Sequence, residues 1–185
     1  MRKLIYHVGT TLDNFICQED GSIGGFLAEG DHIADYLDSI KHYDTVLMGK
    51  STYEFGYGYG LKPGIAPYPT MKNYVFSKSL RIDFPIDEQL TIVRSDAVSF
   101  VRDLKNKDGG HIYLCGGGIF ASTLLDSNLI DSLIIKLNPV LLGKGIRLFE
   151  RSSRKADLSL IDTKIYKSGV VLLTYSIKGA TEQAS

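Results

Sequence analysis

The run HIYLCGGGIFASTLL, residues 111–125, constrains the fold more than any other stretch of the chain. Residues 111–114 are a short apolar segment, the pattern of a strand covered on both faces, and such burial belongs to sheets with helices on either side. Three glycines follow, and a helix-forming segment opens on them. Strand, glycine turn and helix in that order imply a parallel α/β architecture, in which ligands sit at the carboxyl edge of the sheet.

The rest of the chain repeats the alternation. Residues 3–9 read as a strand, and Ile33, Ala34, Leu37 and Ile40 fall on one face of a helix near 31–41. Residues 45–48 make a second strand, ended by Gly49 and followed by a short helix near 51–55. Residues 56–70, rich in glycine and proline, are expected as an irregular loop. Strands are predicted at 73–76 and 90–93. Ser95 or Asp96 then caps a helix carrying Ala97, Phe100, Val101 and Leu104 on one face. The last third changes character: 129–140, 157–166 and 170–177 are strand-like, with a hairpin turn at 167–169. The expected fold is α/β with a mixed sheet, parallel early and antiparallel at the C-terminal end, in a single domain over residues 1–185.

Charge narrows the choice of partner. The 21 Lys+Arg balance 21 Asp+Glu, so the basic excess that a nonspecific nucleic-acid binder needs is missing and a small-molecule ligand is favoured. The balance is uneven along the chain. Residues 13–44 hold eight acids and one base, whereas 141–178 hold eight bases and three acids. This describes either a solvated surface with patches of both signs or a bipolar ligand cleft. Cys17 and Cys115 are too few and too far apart for a disulfide scaffold or a zinc site, and both read as reduced thiols. No secretory h-region and no stretch of roughly 20 apolar residues occurs, so no membrane contact and a cytoplasmic location are expected.

Three strand ends carry phosphate-binding chemistry. Gly116, Gly117 and Gly118 let backbone N–H groups approach an anion at a helix start. They also fit GxGxxA, but the dinucleotide fingerprint needs an acid ending the next strand, and that strand ends in Lys136-Leu137-Asn138. Gly49-Lys50-Ser51-Thr52 mimics the tail of a P-loop, although the leading glycine of that motif falls on Asp44; a simple N-cap is the alternative. Ser77-Lys78 is a third such end. Strand alternation directs Ile5, His7 and Gly9, together with Thr11, to one edge, with His7 as either a core histidine or a site residue. Asp31 and Asp35 lie one helical turn apart and could hold a polar heterocycle or be ordinary solvated acids.

The order of motifs resembles the dihydrofolate reductase-like superfamily, and within it the reductase domain of bifunctional riboflavin-biosynthesis deaminase-reductases. The likeness rests on TLDNFI (11–16), DTVLMGKSTYE (44–54), NYVFSKSL (73–80), IYLCGGGIFASTLL (112–125) and LIDSLIIKLNPVLLGKGIRLF (129–149). It implies a three-layer α/β/α fold and a bound NADPH. Gly49, Lys50, Ser51 and Thr52, with Ser77 and Lys78, would receive the 2′-phosphate and pyrophosphate; Gly116 to Gly118 and Ile119 would lie against the pyrophosphate and nicotinamide. His7, Thr11, Asp13 and Asp31 would line the substrate side, Asp35 would be the catalytic or anchoring acid, and Lys144 and Arg147 could meet a substrate phosphate. The expected reaction is hydride transfer to a C=N bond of a pyrimidine- or pterin-like substrate, as in a 5-amino-6-(5-phosphoribosylamino)uracil reductase. Dihydrofolate reductase-like action on a pterin and a non-catalytic dinucleotide-binding module are the alternatives, with a homodimer as one reading of the oligomeric state. Against folate reduction, the chain has no Trp, and 24–31 reads GGFLAEGD. Gly49-Lys50 stands where the riboflavin-type reductases usually have Gly-Arg, which keeps the charge but loses the bidentate fork.

Overall fold

A computed structural model describes residues 1–178. Alternation along its strands decides the layering. In β1 (Leu4–Thr11), Leu4 and Tyr6 point to one face of the sheet and Ile5 to the other. In β6 (His111–Gly116), Ile112 and Leu114 oppose Tyr113; in β3 (Tyr43–Gly49), Leu47 opposes Val46 and Met48. One face is covered by α3 (Ala97–Lys105) and α4 (Gly118–Asp126) through Val101, Leu104, Ala121, Leu124 and Leu125. On the other, Ile40 following α1 (Asp31–Ser39), Tyr53 of α2 (Lys50–Phe55), and Leu61, Ala66 and Met71 pack together. The result is a three-layer α/β/α sandwich, with each fully buried aliphatic side chain contributing about 1.5–3 kcal/mol.

The remaining large-sheet strands are β4 (Lys72–Phe76), β5 (Leu90–Val93), β7 (Ser132–Asn138), β9 (Leu158–Ile165) and β10 (Val171–Ile177). Their order is β5-β4-β3-β6-β1-β7-β10-β9. Pairing is parallel from β5 through β7; β10 runs antiparallel to β7 and to β9. The C-terminal hairpin turns at Gly169, with φ +85° and its N–H donating to Tyr166 O at 3.0 Å. A second, two-stranded sheet pairs β2 (Phe15–Cys17) with β8 (Ile146–Arg147). These two strands were not expected from the sequence, because three and two residues are too few to display a period. The glycine-rich loop begins with a 3₁₀ turn at Gly56–Tyr59.

Asp96 rather than Ser95 caps α3, accepting from Ser99 N at 2.8 Å. The helix ends at Lys105, whose ammonium reaches Asp131 Oδ2 at 2.5 Å and Leu129 O at 2.7 Å. No helix among the described residues is long and apolar enough to cross a membrane.

Candidate active site

Parallel strands end where helices begin, so the carboxyl edge of the sheet gathers backbone N–H groups. Gly49 ends β3 and caps α2; Gly116 ends β6 and Gly117 caps α4. Neither helix start has a side-chain cap, in contrast to α3. Their first-turn N–H groups therefore carry partial positive charge and lack the usual side-chain acceptor. Both starts line one cavity of about 1060 Å³, at the upper end of the range for small-molecule sites. Gly49, Lys50, Ser51, Thr52 and Gly116 to Ile119 all lie on its wall.

Local geometry explains the glycines. Gly116 has φ +147°, a conformation L-residues rarely adopt, and a Cβ there would stand 3.4 Å from Thr52 Oγ1. Gly118 has Arg147 O 2.3 Å from where a Cβ would be, so only glycine fits beneath β8. Gly117 differs from both: its φ of −100° and ψ of −171° suit any residue, and a Cβ would meet only Thr52 Oγ1 at 3.4 Å. Lys50 shares its charge with Glu54, Nζ to Oε1 being 3.6 Å. Ser77 and Lys78 do not line this cavity. Ser77 Oγ instead accepts from Ser79 N and Leu80 N, making the turn after β4, and Lys78 is exposed to solvent. Two of the three strand ends thus meet on one wall, with the third off it.

A second cavity, of about 530 Å³, adjoins the first at Val8, Ile16, Ile23, Thr52, Phe55 and Cys115. It lies on the α1–α2 face, where the period of two brings His7, Tyr113, Cys115 and Lys136 to the same side. Three hydroxyls meet there. Tyr36 Oη lies 3.4 Å from both Tyr68 Oη and Tyr113 Oη, and Tyr68 Oη is 3.5 Å from Cys115 Sγ. Burial pushes all three phenols and the thiol up, so they stand neutral as hydrogen-bonding groups.

His7 is buried at 5% exposure against Tyr36, Tyr43 and Tyr113, with Nδ1 3.5 Å from Tyr43 Oη. Desolvation, aided by the Lys136 charge, holds its pKa down at about 4. A depressed histidine means that the unfolded chain binds the extra proton first. Its contribution to stability is therefore complete above the unfolded value near 6.5 and is lost as pH falls toward 4. Unfolding free energy should drop by about 3 kcal/mol across that window, and His7→Gln should flatten the profile. Denaturant titrations at a series of pH values would show this; an unchanged slope in the variant would remove His7 as its source.

Lys136 also lies on this wall, a residue that nothing local in the sequence marks as a candidate. It pairs in register with Gly9, and its Nζ donates to Leu27 O at 3.0 Å. The segment above is fixed at Leu27, whose N–H donates to Asn138 Oδ1 at 3.1 Å and whose carbonyl lies 3.1 Å from His32 Nε2. Alternation along LIIKLN puts Lys136 on the cavity face, but Gly9 becomes its neighbour only once β1 and β7 pair.

Asp35 does reach the cavity wall. Its carboxylate is ion-paired with Lys164 and accepts from Tyr166 Oη at 2.6 Å. Those two hydrogen bonds, Lys164 first, hold its pKa below the ordinary carboxylate range. An ionised, doubly engaged carboxylate accepts protons from partners and does not donate one, so Asp35 fits an anchoring role and not that of a proton donor. The other substrate-side residues lie off the wall. Thr11 Oγ1 donates to Asp13 Oδ1 at 2.6 Å and accepts from Phe15 N, fastening the turn after β1. Asp13 accepts from Leu142 N and Gly143 N at 3.2 and 2.7 Å; Asp31 accepts from Lys167 N at 3.3 Å. Lys144 pairs with Glu19 at 3.0 Å and Arg147 lies over the Phe15 ring, so neither lines the second cavity. The acidic N-terminal and basic C-terminal stretches touch at two ion pairs, Asp35–Lys164 and Glu19–Lys144.

Comparison with known proteins agrees with this architecture. The family model for the RibD C-terminal domain matches residues 2–174. The chain is similar to the YwjB protein of Bacillus subtilis (strain 168), at 36% identity over 174 residues, covering 92% of this chain and 96% of that one. Its fold is similar to that of a protein ascribed to riboflavin biosynthesis from Shewanella sp. PV-4, with a TM-score of 0.80 at 21% identity, covering 96% and 99% of the two chains. It is also similar to the diaminohydroxyphosphoribosylaminopyrimidine deaminase/5-amino-6-(5-phosphoribosylamino)uracil reductase of Thermotoga maritima. There the TM-score is 0.67 at 18% identity, over 95% of this chain and 56% of that one.

Proposed function

The chain belongs to the RibD C-terminal domain family, and from that premise we propose that it is an NADPH-dependent reductase acting on a C=N bond of a pyrimidine- or pterin-like ring. One observation carries the proposal: two helix starts without side-chain caps, at Gly49-Lys50 and Gly117-Gly118, share a cavity that joins a second, aromatic one. The first suits the phosphates of a dinucleotide and the second a flat ring. Bound NADPH would supply the hydride. The chain's own residues would do the rest. Backbone N–H groups of the two helix starts would hold phosphate oxygens; Lys50 would exchange its Glu54 partner for the 2′-phosphate; Thr52 and Cys115, at the junction of the two cavities, would border the reacting centre. Neutral tyrosine hydroxyls would orient the ring, and the segment around Leu27 would exclude water.

Titration with NADPH and NADH tests the cofactor half. NADPH should bind about tenfold more tightly or better, and Lys50→Met should abolish most of that preference while NADH affinity changes little, since a charge-assisted contact is worth about 1.5–3 kcal/mol. Equal affinities in the native protein would remove Lys50 from the 2′-phosphate. Cofactor oxidation over a panel of pyrimidines, pterins and aldehydes tests the reaction; binding without oxidation across the panel would make the protein a dinucleotide-binding module.

A further inference from the structure

We infer that Lys136 anchors one oxygen of the substrate, and that the cavity around it takes a compact planar ring bearing no phosphate. The inference rests on reading the aromatic cavity as the substrate chamber.

Lys136 is placed to be an anchor by the strand opposite. Gly9 lies across from it in register, and a Cβ at Gly9 would stand 3.4 Å from Lys136 Cε and 3.5 Å from the Phe26 ring. Glycine there leaves the lysine stem room to cross β1 into the cavity beneath Phe26. An ammonium has three N–H groups. Among the described residues Lys136 Nζ uses one, on Leu27 O, and no carboxylate lies within ion-pair distance of it. The one acid on the cavity wall among the described residues, Asp35, is occupied by Lys164 and Tyr166. A half-buried cation facing aromatic walls without a counter-charge is poorly solvated, and a ligand oxygen that accepts from it would replace the lost water. Burial pushing the Lys136 pKa down agrees with that poor solvation. A ring carbonyl, enolate or carboxylate supplies the acceptor; Phe26, Tyr36 and Tyr68 supply flat contact area for the ring.

A phosphate does not fit the same surroundings. No arginine lines the cavity, and Lys136 is its one lysine among the described residues. The start of α1, whose His32 and Ile33 line the cavity, has an acid in its first turn, Asp31, which disfavours an anion there. Lys144 and Arg147 are spent elsewhere.

The test measures ring binding directly, by calorimetry on the full chain without cofactor, using 5,6-diaminouracil, pterin and 5-amino-6-(5-phosphoribosylamino)uracil. At least one free ring should bind as tightly as the phosphoribosyl compound or more so. Lys136→Met should weaken that ring about tenfold or more, with Lys136→Arg retaining part of the affinity. NADPH affinity and the unfolding midpoint should be the same in both variants, which separates loss of the anchor from loss of the fold. Phosphoribosyl binding tenfold tighter than either ring, unchanged ring affinity in Lys136→Met, or no ring binding by the native protein would each overturn the inference. NADPH titration of the same preparation is scored separately. Its failure would overturn the reductase reading and leave the effect of Lys136 on ring affinity readable.

Discussion

Gly117→Val should lower NADPH affinity by roughly 100-fold or more, equivalent to losing two charge-assisted hydrogen bonds, and should leave the unfolding midpoint close to that of the native protein. The expectation rests on the contrast between adjacent glycines. At Gly117 φ and ψ are those of ordinary extended backbone, and the nearest atom to a new Cβ is Thr52 Oγ1, itself on the cavity wall. A branched side chain would therefore occupy the space through which phosphate oxygens would approach the start of α4. At Gly118 the nearest atom is a backbone carbonyl, Arg147 O, 2.3 Å from the Cβ position. Gly118→Ala should accordingly destabilise the protein by about 1–3 kcal/mol or more, because the 146–150 segment must shift to admit it. Fluorescence titration and thermal unfolding of both variants distinguish the two effects. Unchanged NADPH affinity in Gly117→Val would remove the glycine turn from the phosphate site.

Asp131→Ala should cost about 3–5 kcal/mol of stability, the usual penalty for leaving one member of a buried ion pair without its partner. For a domain of this size that is a fall in Tm of about 6–20 °C. Asp131 and Lys105 have side chains only 9% and 5% exposed. The carboxylate also accepts from Leu4 N at 2.7 Å, while the backbone of Asp131 bonds to Leu4 O and Ile177 N. One residue thus joins the end of α3, the start of β1 and the end of β10. In Lys105→Met/Asp131→Leu no buried charge is left unpaired, and the double variant should be more stable than Asp131→Ala. Urea unfolding with a constant m-value would measure the difference. A double variant as unstable as the single one would show that the backbone hydrogen bonds, not the charges, dominate.

The layers and the main strands were legible from period and punctuation, because a strand buried on both faces and an amphipathic helix each leave a pattern longer than the elements of chance. What escaped was whatever depends on neighbours distant in the chain. The LIIKLN strand reads as apolar with one lysine, and nothing local says that Lys136 lies beside Gly9. The tyrosine hydroxyls come from residues 36, 68 and 113 on three separate segments, brought together by the sheet order. Helical spacing directed Asp35 toward the core side, but its character is set by Lys164 and Tyr166 from the C-terminal hairpin. The glycine turns were legible as strand-to-helix connections, since their chemistry is local. Ser77-Lys78 has the same local chemistry, and only the tertiary structure shows that it lies off the cavity wall.

The placement of β1 also sets a timetable. Leu4 pairs with Ile112, and Ile5 with both Tyr113 and Ser132, so β1 has no sheet partner until more than a hundred further residues exist. On a ribosome adding about 5–20 residues each second, the wait from Leu4 to Ser132 is roughly 6–26 s. Meanwhile β3, β4 and β5, neighbours in both chain and sheet, can already associate. Nascent chains would hold an unpaired apolar edge on β3 until β6 emerges, and a gap between β6 and β7 closes only when the N-terminal strand enters it. A strand made before all its sheet neighbours is thus among the last to be secured, and the newly made protein depends on keeping LIYHV out of other partnerships for that interval.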